Sequence, residues 1–284
     1  MQPILIATLC VLLVQTAVRP PFRVSTPPGT LQPGSVVLMT VTANEALPGI
    51  TARAFDRDLA PFRVGKRTWQ VLIGIDLDVK PGRYTVEVET AGPATRVLHV
   101  LAVSPRRFPT RTLTVDPDLV NPPPDQMERI AREAERLRRL WNNPVAGRFW
   151  DGPFVRPVPD PANSSFGTRS IYNGEARSPH GGTDFLSPSG RPIHAPNAGR
   201  VVLAAPLYFT GGTVVIDHGR GVFSLFAHLS TIGVHEADLV KTGDVIGEVG
   251  ATGRVTGPHL HWAVRVGGAR VDPLLLLAAL GPRP

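Results

Sequence analysis

Turn-forming residues interrupt this chain so often that long helices are excluded over most of its length. The 284 residues include 30 Pro and 28 Gly, and between them run short apolar or alternating segments. That is the pattern of short strands joined by turns. Val36 to Thr42 is rich in β-formers, and Thr68 to Leu77 alternates in part. Tyr84 to Glu89 reads Y-T-V-E-V-E, a period of two, just after a Pro81-Gly82 turn. Arg96 to Val103 is a further strand and contains His99, an ordinary strand histidine. The recurrence of turn signals predicts an immunoglobulin-like β-sandwich over residues 19–110.

One stretch has helical periodicity. Asn121-Pro122-Pro123-Pro124 is a helix start signal, and Asp125 to Trp141 carries Met127, Ile130, Ala134, Leu137 and Trp141 on one stripe. Five arginines alternate with Glu128, Glu133 and Glu135, and Asn142, Asn143 and Pro144 stop the helix. Both signs of charge share the polar face, which suits a connecting helix on a protein surface better than a membrane-surface helix. Residues 111–150 are therefore a linker containing this helix. From 151 to 284 the pattern is β again. Arg200 to Ala204, Thr213 to Asp217, Val222 to Ala227 and Trp262 to Val266 are strand candidates. Val240 to Val249 is expected to make a tight turn between strands, and Asp272 to Leu280 a short terminal helix. The fold class is mainly β throughout.

Met1 to Val18 contains no charged side chain, and Ile4 to Val14 is almost continuously apolar. Its length suits a signal peptide or N-terminal anchor and predicts export to the periplasm or cell envelope. The one cysteine, Cys10, lies inside this segment. Disulfides and thiolate ligands are thus excluded from the exported part, and a metal would have to be held by His and carboxylates. The formal net charge of +7 is uneven: residues 19–110 hold 12 basic and 7 acidic side chains, a surplus of five. Weak attraction of the front region to wall polymers or lipid headgroups follows. Nucleic-acid binding does not, because no long basic run or aromatic-basic interleaving is present.

Seven of the eight histidines fall after residue 179. His180-Gly-Gly-Thr-Asp184 combines an imidazole and a carboxylate, ligands that zinc accepts when thiolates are absent. Its glycines allow the chain to fold back closely. By itself this spacing is a weak signal. In His259-Leu260-His261, a strand would point both imidazoles into one space. Two such rings are costly if both charge and natural around a cation. His228, in Ala227-His-Leu-Ser230, taken alone is a half-buried histidine satisfied by backbone. His194 at a strand entry is structural. His218 in Asp217-His-Gly-Arg220 is expected on the surface of a hairpin turn with Asp217, and His235 in a solvated loop.

As a set, H-x-x-x-D, A-H-L-S and H-L-H in this order resemble the lysostaphin/LytM-type zinc endopeptidases, a family of peptidoglycan hydrolases. Ser178 to Phe185, Ala195 to Val202, Gly247 to Gly253 and Gly257 to Trp262 carry the resemblance, which covers roughly residues 165–275. It implies a C-terminal β-rich peptidase domain within residues 151–284. His180, Asp184 and His261 match the family's zinc ligands, and His228 and His259 its two non-ligand catalytic histidines. Tyr172 is a candidate substrate or oxyanion contact. The front region loosely resembles the accessory domain of some Gram-negative members. The implied substrate is peptidoglycan, with D-alanyl–diaminopimelyl cross-links favoured. Two alternatives remain. One is a silent, wall-binding or amidase-activating relative, although such relatives usually lack ligands that are present here. The other is a stem-peptide carboxypeptidase.

Overall fold

The computed structural model describes residues 20–91, 95–114, 122–164 and 166–281. The apolar segment expected to act as a leader, with Cys10, lies outside the described residues. Among the described residues strands hold 46% and helices 11%, so the fold is mainly β.

The front region is built from β1 (Phe22–Ser25), β2 (Val36–Ala43), β3 (Ile50–Ala54), β4 (Arg57–Leu59), β5 (Phe62–Gly65), β6 (Thr68–Gly74), β7 (Gly82–Thr90) and β8 (Arg96–Val103). They form two four-stranded antiparallel sheets, ordered β1-β2-β6-β5 and β4-β3-β7-β8. Alternation explains the layering. Met39, Val41, Val71 and Ile73 from one sheet meet Ala52, Val86, Val88 and Leu101 from the other in one buried core. A short strand β9 (Thr110–Leu113) follows.

The linker helix α1 spans Met127–Asn142 and is entered through a 3-10 turn at Pro124–Gln126. Its polar face is laced by Arg129–Glu133, Arg132–Glu128 and Arg139–Glu135 pairs at i,i+4 spacing. The expected five-residue stripe packs only at its C-terminal end. Leu137, Leu140 and Trp141 rest on Leu203, Phe223 and their neighbours, whereas Met127 and Ala134 are exposed. Ahead of Leu137 the helix is held by polar contacts instead. Glu133 accepts the Tyr208 backbone N–H at 2.7 Å, and Arg136 pairs with Glu236.

The C-terminal region comprises β10 (Ala162–Ser164), β11 (Arg169–Tyr172), β12 (Glu175–Ala176), β13 (Gly182–Phe185), β14 (Pro192–His194), β15 (Gly199–Leu207), β16 (Gly211–Gly219), β17 (Val222–Ile232), β18 (Leu239–Val240), β19 (Val245–Val249), β20 (Leu260–Val266), β21 (Ala269–Val271) and helix α2 (Pro273–Leu280). Its main sheet runs β10-β13-β20-β17-β16-β15-β18, with β19 joined to β17 and β14, and β21 to β20. The Asp272 side chain accepts the Leu274 N–H at 3.0 Å and so caps α2. β9 pairs in parallel with β11, tying the end of the front region to the segment that leads into His180.

Two sequence expectations are corrected here. His218 and Asp217 are not turn residues but lie inside β16, almost fully buried. The turn comes later, at Arg220-Gly221, whose φ values of 53° and 78° suit a two-residue hairpin loop. His218 donates Nδ1–H to the Ala198 carbonyl at 2.8 Å and accepts from the Ser224 hydroxyl at 2.9 Å. Asp217 accepts the N–H groups of Val145 and Gly219.

The front sheet docks on the far end of the main sheet. Val36, Phe62 and Leu72 share a core with Trp150, Val266, Ala269, Val271 and Leu276. Arg270 reaches Asp76 at 2.7 Å and Asp78 at 2.6 Å, and Arg106 reaches Asp272 at 2.7 Å. Burial raises the Asp76 carboxyl, but its bonds from Arg270 outweigh this and hold it below the ordinary range. Val266 lies about 17 Å along β20 from His261, at strand rise. The docked sandwich therefore leaves the histidine end of that strand uncovered.

Candidate metal centre

Strand pairing assembles the site. β13 and β20 are antiparallel with Asp184 opposite His261, and β17 pairs β20 on its other edge with Ala227 opposite His261. His180 precedes β13; its N–H bonds Thr168 O at 2.9 Å and its C=O accepts from Gly167 at 2.8 Å. Gly182 explains the glycine between His180 and Asp184. A Cβ there would collide with the Trp262 carbonyl and lie 2.8 Å from Cε1 of His261. Only glycine lets β13 approach the imidazole so closely.

Three donor atoms converge. His180 Nε2 lies 3.0 Å from Asp184 Oδ1 and 3.0 Å from His261 Nδ1, and the last two are 2.8 Å apart. Side-chain exposures of 15–16% leave one approach open. For ligands ~2.0–2.1 Å from zinc, tetrahedral geometry requires separations of roughly 3.4 Å, so small adjustments suffice. Burial raises the Asp184 carboxyl, but hydrogen bonds with His180 and His261 outweigh it and hold it far below the carboxylate range. Burial lowers His261, against its bond to Asp184. An ionised carboxylate with a neutral imidazole is the protonation state a divalent cation needs. Two nitrogens and one oxygen, with no thiol, fit zinc chemistry.

Two further imidazoles flank this triangle. The His228 ring centroid is 4.8 Å from His259 and 6.1 Å from His261. His228 has φ of 69°, a left-handed conformation rare for a side-chain-bearing residue. It sits where β17 leaves β20 and takes up β19. Its N–H is held by Thr210 O at 2.8 Å and its Nδ1–H donates to Thr252 O at 2.9 Å. Strain of this kind marks functional positions. Burial, with some help from His261 and His259, pushes His228 down to about 4. His259 falls just before β20 rather than inside a strand; its Nδ1–H donates to Gly257 O at 2.9 Å, and its Nε2 is 3.9 Å from Asp184. A carbonyl only accepts, so both rings are Nδ1–H tautomers with Nε2 left to act.

Tyr172 is half-buried at the end of β11. His194 bonds Gly243 O at 2.8 Å, and the His235 side chain is 93% exposed. Neither joins the centre. Sequence reasoning missed Thr252 and Thr210, which act through backbone carbonyls and so leave no side-chain signal.

Residues 178–273 match peptidase family M23. A solved structure described as an M23 peptidase from Pseudomonas aeruginosa is 34% identical, covers 89% of this chain and 97% of its own, and superposes with a TM-score of 0.71. The chain belongs to peptidase family M23. Among curated M23-like relatives, it is 41% identical over 96 residues to the peptidoglycan DD-endopeptidase ShyB of Vibrio cholerae, covering 34% of this chain. It is 42% identical over 95 residues to the DD-carboxypeptidase/endopeptidase Mpg of Neisseria meningitidis, again covering 34% of this chain. Each match spans only 22% of the relative's length. The M23 match thus falls on the region that carries all five converging side chains.

Proposed function

We propose that this M23 chain is a zinc-dependent endopeptidase that hydrolyses amide bonds in peptidoglycan peptide cross-links, outside the cytoplasm. The reading rests on the His180, Asp184 and His261 donor atoms, all within 3.0 Å of one another, with His228 and His259 beside them. The names of its relatives supply the substrate class. His180 through Nε2, Asp184 through Oδ1 and His261 through Nδ1 would hold the ion. Zinc bound there supplies Lewis acidity, which lowers the pKa of a water toward ~7.

The chain's own residues then move protons. Nε2 of one free imidazole takes the proton of the attacking water and returns it to the leaving amine. The other, when protonated, donates Nε2–H to the developing oxyanion. Tyr172 is a substrate contact on the His180 side. Residues 19–110 act as an immunoglobulin-like accessory unit whose basic surplus favours weak wall or membrane association, and the apolar leader directs the chain to the envelope. Among the described residues no helix is long and apolar enough to cross a membrane.

Digestion of purified cross-linked muropeptide dimers, with and without chelator, tests the reading. Chelator-sensitive release of monomers is expected. Loss of only a terminal D-alanine would point to a carboxypeptidase. No digestion, with unchanged biological effect in His180→Ala, would point to a silent wall-binding protein.

A further inference from the structure

We infer that the linker helix α1 completes a substrate cavity beside the metal centre, and that Arg129 holds a free carboxylate of a small-side-chain peptide there. The inference deepens the peptidase reading and rests on it. Arg129 lies outside residues 178–273, so the M23 match does not supply it.

Strand register puts α1 on the catalytic face of the main sheet. Residues directly opposite on antiparallel strands point to the same side. Asp184, His261 and Ala227 stand opposite one another across β13, β20 and β17. Ala227 belongs to the buried patch with Leu203, Leu207 and Phe223, on which Leu137, Leu140 and Trp141 of α1 rest. The next residues in each strand, Phe226 and Trp262, enter the core on the other side. The helix is therefore a bank on the face that bears the donor triangle.

From Arg129 of α1 to the tip of the β15–β16 hairpin, an open cavity of about 500 Å3 lies on this face. That is within the ~300–1,000 Å3 usual for small-ligand sites. It adjoins the catalytic machinery directly. Thr252 lines it, and the Thr252 carbonyl accepts Nδ1–H of His228 at 2.9 Å. Leu229 and Ser230, the two residues after His228, line it as well. Leu207, Leu229 and Ile232 make its walls apolar, and Gly211 and Gly212 add no side chain. Its hydroxyls are turned to the backbone: Ser230 donates to Val249 O at 3.0 Å and Thr252 to Leu229 O at 2.8 Å.

One lining residue is charged, Arg129. Its Nε donates to Glu133 at 2.7 Å, and the other Glu133 oxygen accepts the Tyr208 N–H. The guanidinium lies 5.8 Å from the Tyr208 ring centroid. This clamp fixes the helix to the hairpin and aims the guanidinium from the rim. Among the described residues its Nη groups have no acceptor. A guanidinium fork with unused donors matches a carboxylate. A small apolar enclosure with one such fork suits a ligand with small side chains and one anionic group. Peptidoglycan stem peptides, rich in alanine and carrying free carboxylates, have that chemistry.

The test is calorimetric binding of the soluble stem tetrapeptide, with its carboxylates free or amidated, to the zinc-loaded full chain. Wild type should bind the free acid about 10- to 100-fold more tightly, the range for one charge-assisted pair. Arg129→Gln should abolish that difference while keeping zinc content and Tm, and Arg129→Lys should fall between. Ile232→Trp fills the cavity without touching the charge and should weaken both peptides. Equal binding of both peptides by wild type would overturn the subsite. So would binding of neither, an unchanged preference in Arg129→Gln, or wild-type binding by a folded Ile232→Trp protein. Continued cleavage of cross-linked dimers in those cases would leave the peptidase reading intact. Cleavage of no dimer by zinc-loaded wild type would overturn the peptidase reading and the subsite together.

Discussion

Gly182→Ala puts one methyl group into the tightest point beneath the donor triangle. The added Cβ would collide with the Trp262 carbonyl and lie 2.8 and 2.9 Å from Cε1 and Nε2 of His261. Ordinary contact needs roughly 0.5–1 Å more, so either β13 parts from β20 or the imidazole retreats. Parting the strands is overpacking, worth about 1–3 kcal/mol, or a fall of about 3–10 °C in Tm for the apo protein. A retreating ring moves Nδ1 by more than the ~0.2 Å tolerance of metal–ligand distances. Zinc affinity should then drop at least ~10–100-fold, the usual effect of disturbing a metal ligand's support. Competition against a chromophoric chelator, run beside thermal unfolding of apo and zinc-loaded protein, reads both quantities. Wild-type zinc affinity in a folded Gly182→Ala protein would show that His261 is not held in place by this contact.

Three other perturbations probe separate links. His228→Ala should keep zinc but lose about 10²–10⁴-fold in kcat, measured by elemental analysis beside a rate assay; an unchanged rate removes His228 from the chemistry. His218 is held neutral by burial, its pKa pushed down from 6.5 to about 4. The unfolded chain therefore binds the extra proton first, and stability falls as pH drops from about 6.5 to 4, by about 3 kcal/mol in total. Urea unfolding of His218→Gln across this window should lack that component, and parallel curves would refute it. Asp76 is depressed, so its contribution is present above the ordinary carboxylate range and is lost as pH falls through its folded value. Arg270→Ala should loosen the front sandwich even at neutral pH, seen as faster limited proteolysis of the linker; wild-type resistance would contradict the importance of this bridge.

Local patterning made much of this fold legible. Arg96–Val103 is a strand with the expected bounds, and α2 begins just after Asp272 as its cap requires. What failed was decided by long-range packing. His218 looks like a turn residue in Asp-His-Gly-Arg because the hairpin loop needs two positive-φ residues, and these turned out to be Arg220 and Gly221. The helix stripe is correct in period, but only Leu137, Leu140 and Trp141 overlie the sheet. The five side chains that converge were singled out by their spacing and by resemblance. The left-handed backbone at His228 and the carbonyl partners that set both free imidazole tautomers have no counterpart in local sequence.

Anomalous diffraction at the zinc absorption edge, on crystals of the full chain grown with one equivalent of zinc, tests the central claim most directly. One strong peak should lie ~2.0–2.2 Å from His180 Nε2, Asp184 Oδ1 and His261 Nδ1, with His228 and His259 uncoordinated. A peak ligated by His228 or His259 in place of one of these, or no peak among them in zinc-saturated protein, would contradict it.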